Sequence, residues 1–345
     1  MMPILPTPLD ENDNIDTEDI FSLVDYCLSA GCKAIGHLAG ASEYQMCSKE
    51  DREIIIKATV SATAGRVPVF IGTAANSIRD TIYNTMLAES LGADMIMLCS
   101  PPIGKADAEE IRVYYEKVCE RTKLPVIVQD TGNSSAVFTP EFLVSLYNNI
   151  ENIGYVKAEG GYWQEKLYCL TKIAPEEMQI IGGAAGKNMP LMLKLGITAF
   201  MTGTEAQEIH NAVVQAYLSG DKDRSTHLYY TTLLPYLELY TSTSYHKSLK
   251  HMLKRRSIIK TDRLLFPGRE KKLISKKIIS IQEKTGDFQQ VFNTDSLRAL
   301  PGGNYYFQNI LKDTDSPDTI SAFIQPFTKF ELTPENHFSA FEGPY

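Results

Sequence analysis

The 345-residue sequence carries few of the signals that settle chemistry by motif alone. Its six cysteines (Cys27, Cys32, Cys47, Cys99, Cys119 and Cys169) form no Cys-x-x-Cys pair, and most stand inside apolar runs. That pattern argues against a disulfide framework and for buried thiols in a reducing compartment. The six histidines are scattered, with no His-Glu-x-x-His among them, so no metal site is expected. No uncharged apolar run reaches the roughly 18 residues that a membrane helix needs. The opening MMPILPTPLDENDN has no basic stretch followed by an apolar one, so no signal peptide is expected there. A cytoplasmic location without a membrane partner is the corresponding expectation. Basic charge is also in short supply. A net charge of -8 and the lack of a dense basic stripe in the main body exclude a general nucleic-acid binder. No Gly-x-Gly-x-x-Gly follows the first apolar run, which disfavours a dinucleotide-binding sheet, and no cofactor is expected.

What the sequence does have is alternation. Short apolar runs at 4–5, 34–38, 67–71, 95–99, 126–129, 153–157, 180–181 and 199–202 are rich in Ile, Val, Leu or Met. Runs of this kind, rather than polar–apolar alternation, mark strands buried on both faces. Between them lie amphipathic stretches. Residues 16–30 place Ile20, Leu23, Val24, Cys27 and Leu28 on one stripe, and Ser48 opens a Ser-x-x-Asp cap. Further helical patterns occupy 81–91, 108–122, 140–147, 163–173 and 189–195, several of them ending on a Leu-Gly or Ala-Gly pair. Eight strands alternating with helices predict an α/β fold, a TIM (β/α)8 barrel, over residues 1–218. Residues 219–268 then read as a C-terminal helical cap, in which 245–256 is strongly basic on its exposed face. Residues 269–345 form an extension of uncertain structure. The extension opens with EKKLISKKIISIQEK, either a surface helix with solvated lysines or a segment that meets a partner or membrane surface.

In such a barrel, catalytic groups project from the carboxyl ends of the strands. Lys157 closes the sixth apolar run, NIGYVKAEGG. A lysine at a half-buried strand end must be paired, snorkelling or working. Removing an ammonium from water favours the neutral amine, the form that attacks a carbonyl. By position alone, catalysis and a plain ion pair with Glu159 weigh equally. The GGAAGK turn at 182–187 lacks the Ser/Thr and spacing of a phosphate-binding loop and reads as a strand-end turn lining the pocket.

Across residues 6–268 the sequence resembles the dihydrodipicolinate synthase and N-acetylneuraminate lyase family. The landmarks, in the family's order, are Thr7-Pro8-Leu9, AGASEYQMCSKEDRE, GRVPVFIGT, LGADMIMLCSPP, KLPVIVQD and IGYVKAE. The resemblance implies a TIM barrel with a helical cap, usually tetrameric, in which Lys157 forms the imine. A protonated imine acidifies the adjacent carbon, so C–C or C–O bonds can be made or broken without a metal.

Several positions depart from the family's pattern. Its tyrosine after the fifth strand is replaced by Gln129, followed by Asp130. Glutamine cannot exchange a proton near neutral pH, although its amide can orient a hydroxyl or a water. Asp130 can act as a base if it points inward, and can equally cap the next turn. The threonine pair that holds the substrate carboxylate corresponds to Gly40 and Ala41, whose backbone N–H groups, with Ser42, can still cradle an anion. The tyrosine contributed across the subunit interface aligns with Ile103, and the arginine of the synthase falls near Ser134. These losses argue against a synthase proper. The Gln-Asp pair together with Lys157-Ala158-Glu159 resembles the subgroup that dehydrates 2-oxo-3-deoxy sugar acids, such as 2-oxo-3-deoxyarabonate. Glu159 falls on the same side of an extended strand as Lys157, where it either moves protons for the imine or simply pairs with the lysine. Gly183, in the GGAAGK turn, and Met201, on the eighth strand, complete the expected substrate-binding set.

The expectation is therefore a metal-independent, imine-forming lyase acting on a small 2-oxo acid, by dehydration or as a pyruvate-dependent aldolase, and working as a homo-dimer or tetramer. The alternatives are a synthase proper and a degenerate barrel that binds a metabolite or partner. Chain length and stereochemistry of the substrate depend on the GNSSAVF and GGYWQEK loops, where Trp163 either lines the pocket or starts its helix.

Overall fold

The structure is a computed structural model that describes residues 1–100, 106–131, 138–159, 163–237 and 245–266. Six strands, β1 (Ile35–His37), β2 (Val69–Gly72), β3 (Met95–Cys99), β4 (Val126–Asp130), β5 (Ile153–Ala158) and β6 (Gln179–Gly182), form one parallel sheet in chain order. Two further apolar runs close it into a ring. Ile4 bridges Gly36 on one side and Gly203 on the other, and Phe200 bridges Gly182 at the end of β6. The closing bonds include Leu5 N to Gly36 O at 2.8 Å, Ile4 N to Thr202 O at 2.9 Å and Met201 N to Gly182 O at 2.8 Å. Eight strand positions follow one another around the ring, as the eight apolar runs predict. The first is reduced to a bridge because Pro3 and Pro6 flank Ile4-Leu5, and proline has no N–H to donate to a ladder.

Each strand position leads into a helix. These are α1 (Thr17–Ser29), α2 (Lys49–Thr63), α3 (Ile78–Ser90), α4 (Ala108–Cys119), α5 (Pro140–Asn149), α6 (Trp163–Ile173), α7 (Met189–Lys194) and α8 (Gln207–Leu218). The repeating unit is that of the TIM barrel. Local sequence sets the helix starts. Ser48 and Asp51 exchange capping bonds of 3.0 and 2.9 Å, Asp107 and Glu110 do the same, and Thr139 caps a helix with Pro140 in its first turn. Each such cap is worth about 1 kcal/mol. Strand side chains alternate between two cores. Ile96, Leu98, Val126, Val128 and Val156 pack against α4 and α5 residues such as Tyr115, Leu143 and Leu146. Phe70, Met97, Ile127 and Ile181 belong to the other cluster.

The pairing of β4 with β5 is irregular at one point. Val126 is level with Ile153 and Ile127 with Tyr155, which leaves Gly154 as one extra residue on β5. Beyond it, Gln129 stands level with Lys157 and Asp130 with Ala158.

After the eighth helix come α9 (Lys222–Leu228), a π-helical turn (Tyr229–Leu233), α10 (Leu234–Leu237) and α11 (Tyr245–Arg255). The expectation that the basic residues of 245–256 share an exposed face needs correction. Lys250 is 0% exposed and its Nζ lies 2.7 Å from the buried carboxylate of Glu43, in the turn after β1. It also donates to the Arg263 carbonyl at 2.8 Å, and His246 Nε2 donates to the Gly40 carbonyl at 2.6 Å. Arg256, just beyond α11, pairs with Glu208 of α8 at 2.5 Å. A lysine turns inward here because a partner carboxylate and a carbonyl replace its water. The EKKLISKKIISIQEK segment and the rest of 269–345 lie outside the described residues. Among those described, no helix is long and apolar enough to cross a membrane.

A Cβ on Gly72 would run into the carbonyl oxygen of Leu38, a backbone atom that cannot swing aside, whereas Gly40 has nothing within 4 Å of the same position. Gly72→Ala should therefore cost about 1–3 kcal/mol in urea denaturation, with Gly40→Ala near neutral. Equal midpoints for the two variants would contradict this account of the β1–β2 packing.

Candidate active site

The site begins with register. Cys99 of β3 is level with Gln129 of β4, which is level with Lys157 of β5. Lys157 is 4% exposed, and its Nζ lies 3.0 Å from Glu159 Oε1. Glu159 follows two residues later on the same side of the strand, and its own N–H still bonds the Asp130 carbonyl at 3.1 Å. Gln129 Nε2 donates to Glu159 Oε2 at 2.6 Å, and the Ala184 N–H donates to Oε1 at 3.0 Å. One carboxylate thus gathers an ammonium, an amide and a backbone N–H. Room for it exists because residue 183 is glycine, since a Cβ there would overlap Glu159 Cγ. Gly183 also begins the turn that presents Ala184, so it serves the site through Glu159.

Burial alone would raise the Glu159 carboxyl. The Lys157 charge, followed by the Gln129 and Ala184 hydrogen bonds, outweighs burial and holds the group below its ordinary value. The carboxylate is therefore ionised near neutral pH. It can take a proton from Lys157, or from a carbon beside an imine on Lys157, and return it.

Asp130 does not share this arrangement. Level with Ala158, it takes the face opposite Gln129, and its Oδ2 is ion-paired with Lys166 of α6. The inward orientation that a base role required is corrected accordingly. Asp130 is 1% exposed, and among the described residues its Oδ1 has no hydrogen-bond partner. Burial pushes its carboxyl up to about 6, against the pull of Lys166 and with a smaller push from Glu159. A small pocket beside it is lined by Asp130, Lys166, Leu170 and Met192 and also by Glu159.

The expected carboxylate cradle forms a short 3-10 turn, Gly40–Ser42. The Ser42 hydroxyl is already committed, donating to the Leu5 carbonyl at 2.5 Å and accepting from Ala39 N at 3.3 Å. Its contribution to the turn is structural, and its side chain is not available as an anion donor. Ala41 is buried, and Gly40 faces open space. Met201 is buried in the core. Its neighbour Phe200 packs over Gly182 beside Met192 of α7, so alternation turns Met201 toward the barrel interior. Ile103, Ser134 and most of the GNSSAVF and GGYWQEK loops lie outside the described residues. Trp163 is the first residue of α6. Among the described residues, no group of three or more His, Cys, Asp or Glu could hold a metal ion.

Sequence reasoning missed three side chains. Tyr44, just past the turn, brings its Oη to 3.5 Å from Cys99 Sγ, and the Cys99 thiol feels the charges of Lys157 and Glu159. Tyr245, at the start of α11, is raised well above its ordinary value by burial first and by Glu205 and Glu159 next. Cys99 was findable from its place at the end of the third apolar run. Tyr44 and Tyr245 were not, because only the closed barrel brings their segments to the strand ends.

The raised Asp130 carboxyl has a consequence for stability. Between its ordinary 3.8 and about 6, the folded protein holds a proton that the unfolded chain has released, so stability falls as pH rises through that window. Asp130→Asn should gain on the wild type by about 2 kcal/mol between pH 4 and 6, read from urea curves. Parallel pH–stability curves would refute it.

Comparison with known proteins bears on the family and the fold. A 4-hydroxy-tetrahydrodipicolinate synthase of Bacillus subtilis is 27% identical over 241 residues, covering 67% of this chain and 80% of that protein. An L-2-keto-3-deoxyarabonate dehydratase of Azospirillum brasilense is 24% identical over 271 residues, covering 77% and 87%. Among solved structures, dihydrodipicolinate synthase DapA-2 from Bacillus anthracis matches with a TM-score of 0.74 and 21% identity, covering 87% of this chain and 98% of that one. YagE of E. coli K12, a prophage protein solved in complex with pyruvate, matches with a TM-score of 0.75 and 20% identity over 81% and 97%. At these identities the structures establish the fold alone. The match to the dihydrodipicolinate synthetase family runs over residues 1–282, and the chain belongs to that family.

Proposed function

We propose that the protein is an imine-forming lyase acting on a 2-oxo acid, and specifically that it dehydrates a 2-oxo-3-deoxy sugar acid. The observation that carries the proposal is the Lys157 amine, buried at the strand end with the Glu159 carboxylate 3.0 Å away. In this scheme Lys157 condenses with the ketone at C2 and water leaves. The protonated imine draws electrons from the C3–H bond, and Glu159 removes that proton. The resulting enamine expels the hydroxyl at C4 as water, taking up a proton, and hydrolysis then frees Lys157. Gln129 orients Glu159 through its amide. No metal enters the scheme. Likeness to the Azospirillum brasilense dehydratase, together with Gln129 and Lys157 both bonded to Glu159, favours dehydration.

The slightly higher identity to the Bacillus subtilis synthase favours a second reading, condensation of pyruvate with an aldehyde through the same imine. The proposal also takes residues 1–218 as the catalytic barrel and 219–268 as its cap, a division supported by the bonds of His246 and Lys250 to the turn after β1. Its further parts are 269–345 as an appended segment, a cytoplasmic location and assembly as a homo-oligomer.

Borohydride reduction with pyruvate should label the wild type covalently and leave Lys157→Ala unlabelled, both proteins having the same circular dichroism. A panel of 2-oxo-3-deoxy sugar acids, assayed separately for dehydrated product and for pyruvate, then decides between elimination and aldol chemistry. Pyruvate release alone would sink the dehydratase assignment. Gly183→Ala, by displacing Glu159, should lower turnover about 10²-fold with the fold retained. Unchanged turnover in that variant would remove Glu159 from the mechanism.

A further inference from the structure

We propose that the Tyr44 phenol is a catalytic proton relay in imine formation, acting beside Lys157 from the turn after β1. The inference rests on Lys157 as the imine-forming residue and adds a group that the reaction needs.

The need is chemical. Addition of an amine to a ketone first gives a positively charged nitrogen that carries one proton too many and an oxygen that carries one too few. A hydroxyl that donates to the oxygen while accepting from the nitrogen resolves both charges at once. On the level of Lys157 stand Cys99, Gln129 and Ile181, none of which carries a hydroxyl. The Gln129 amide does not exchange protons near neutral pH, and it is already engaged with Glu159 at 2.6 Å. Glu159 itself is held by three donors.

Tyr44 brings a hydroxyl to this level from outside it. Its Oη lies 3.5 Å from Cys99 Sγ, and Lys157 and Glu159 both act on that same thiol. The residue is held from behind. The preceding Glu43 sits in the left-handed region at φ 54° and is anchored by Lys250 at 2.7 Å. Arg52 of α2 donates to the Tyr44 carbonyl at 2.6 Å, and its guanidinium lies 5.9 Å from the ring centroid. Tyr44 is only partly buried, so the phenol can meet a ligand. Burial, with Cys99 adding and Arg52 opposing, keeps the phenol protonated at neutral pH, so it is available as a donor.

Glu159 takes a proton from the Lys157 ammonium, and the freed amine forms a C–N bond to C2 of the 2-oxo acid. Tyr44 passes its phenolic proton to the former carbonyl oxygen and takes one from the Lys157 nitrogen, ending unchanged. Glu159 then returns its proton to the new hydroxyl, the C–O bond breaks, water leaves, and the nitrogen lone pair completes the imine.

Tyr44→Phe removes one oxygen and keeps the ring against Arg52. Mixed with pyruvate and sampled by borohydride quench, Y44F should form the Lys157 adduct about 10²-fold more slowly than the wild type but reach the same final labelling. If Y44F labels as fast as the wild type, the relay is overturned while Lys157 stands. Final labelling of Y44F well below that of the wild type would mean that the phenol merely braces the site, and would also overturn it. A wild type that forms no adduct removes Lys157 and Tyr44 together.

Discussion

A single extra residue on one strand determines which side chains meet at the strand ends. With Gly154 unpaired between β4 and β5, Lys157 comes level with Gln129 rather than with Asp130, which faces the helix side of β4. Continued without the offset, the pairing of Val126 with Ile153 would bring Asp130 level with Lys157 and Val156 level with Gln129. Since neighbouring residues on a strand face opposite ways, a one-residue slip exchanges the pocket set for the buried set. Bulges of this kind re-aim side chains next to active sites in many sheets.

The offset also separates two carboxylates into different environments. Glu159, among an ammonium, an amide and a backbone N–H, is held in its charged form. Asp130, against α6 with Lys166 as its counter-charge, is pushed toward its neutral form. Two acids only a few residues apart in space thus have opposite tendencies, one toward accepting protons from a substrate and the other toward keeping its own. The Gly183 turn preserves the difference by leaving space for the Glu159 side chain on the pocket side.

Much of the barrel was legible in the sequence because double-sided burial makes each parallel strand a continuous apolar run. All eight runs occupy strand positions, and the Ser48 cap is where the Ser-x-x-Asp pattern predicts it. Lys157 with Glu159 was legible too, because both lie on one strand and an alternation rule is enough to pair them. Which of Gln129 and Asp130 meets Lys157 was not, since it depends on a register shift that no local pattern announces. Ser42 was read as an anion donor, but its hydroxyl is committed to the Leu5 carbonyl, 37 residues away in sequence. Lys250 was equally opaque, because a lysine on an amphipathic helix looks solvated until its partner carboxylate is located. In each case the missing information is contact between segments far apart in the chain.

The Lys250–Glu43 pair ties α11 to the loop after β1. Deleting the cationic member of a buried pair strands the other charge in a poor solvent for it, at a cost of about 3–5 kcal/mol. The β/α units and α11 thus share one buried charge pair. A fragment ending before α11 would carry an uncompensated Glu43 in the loop after β1. Any split, permuted or fused form of this protein has to keep both ends of that tether on molecules that can reach each other.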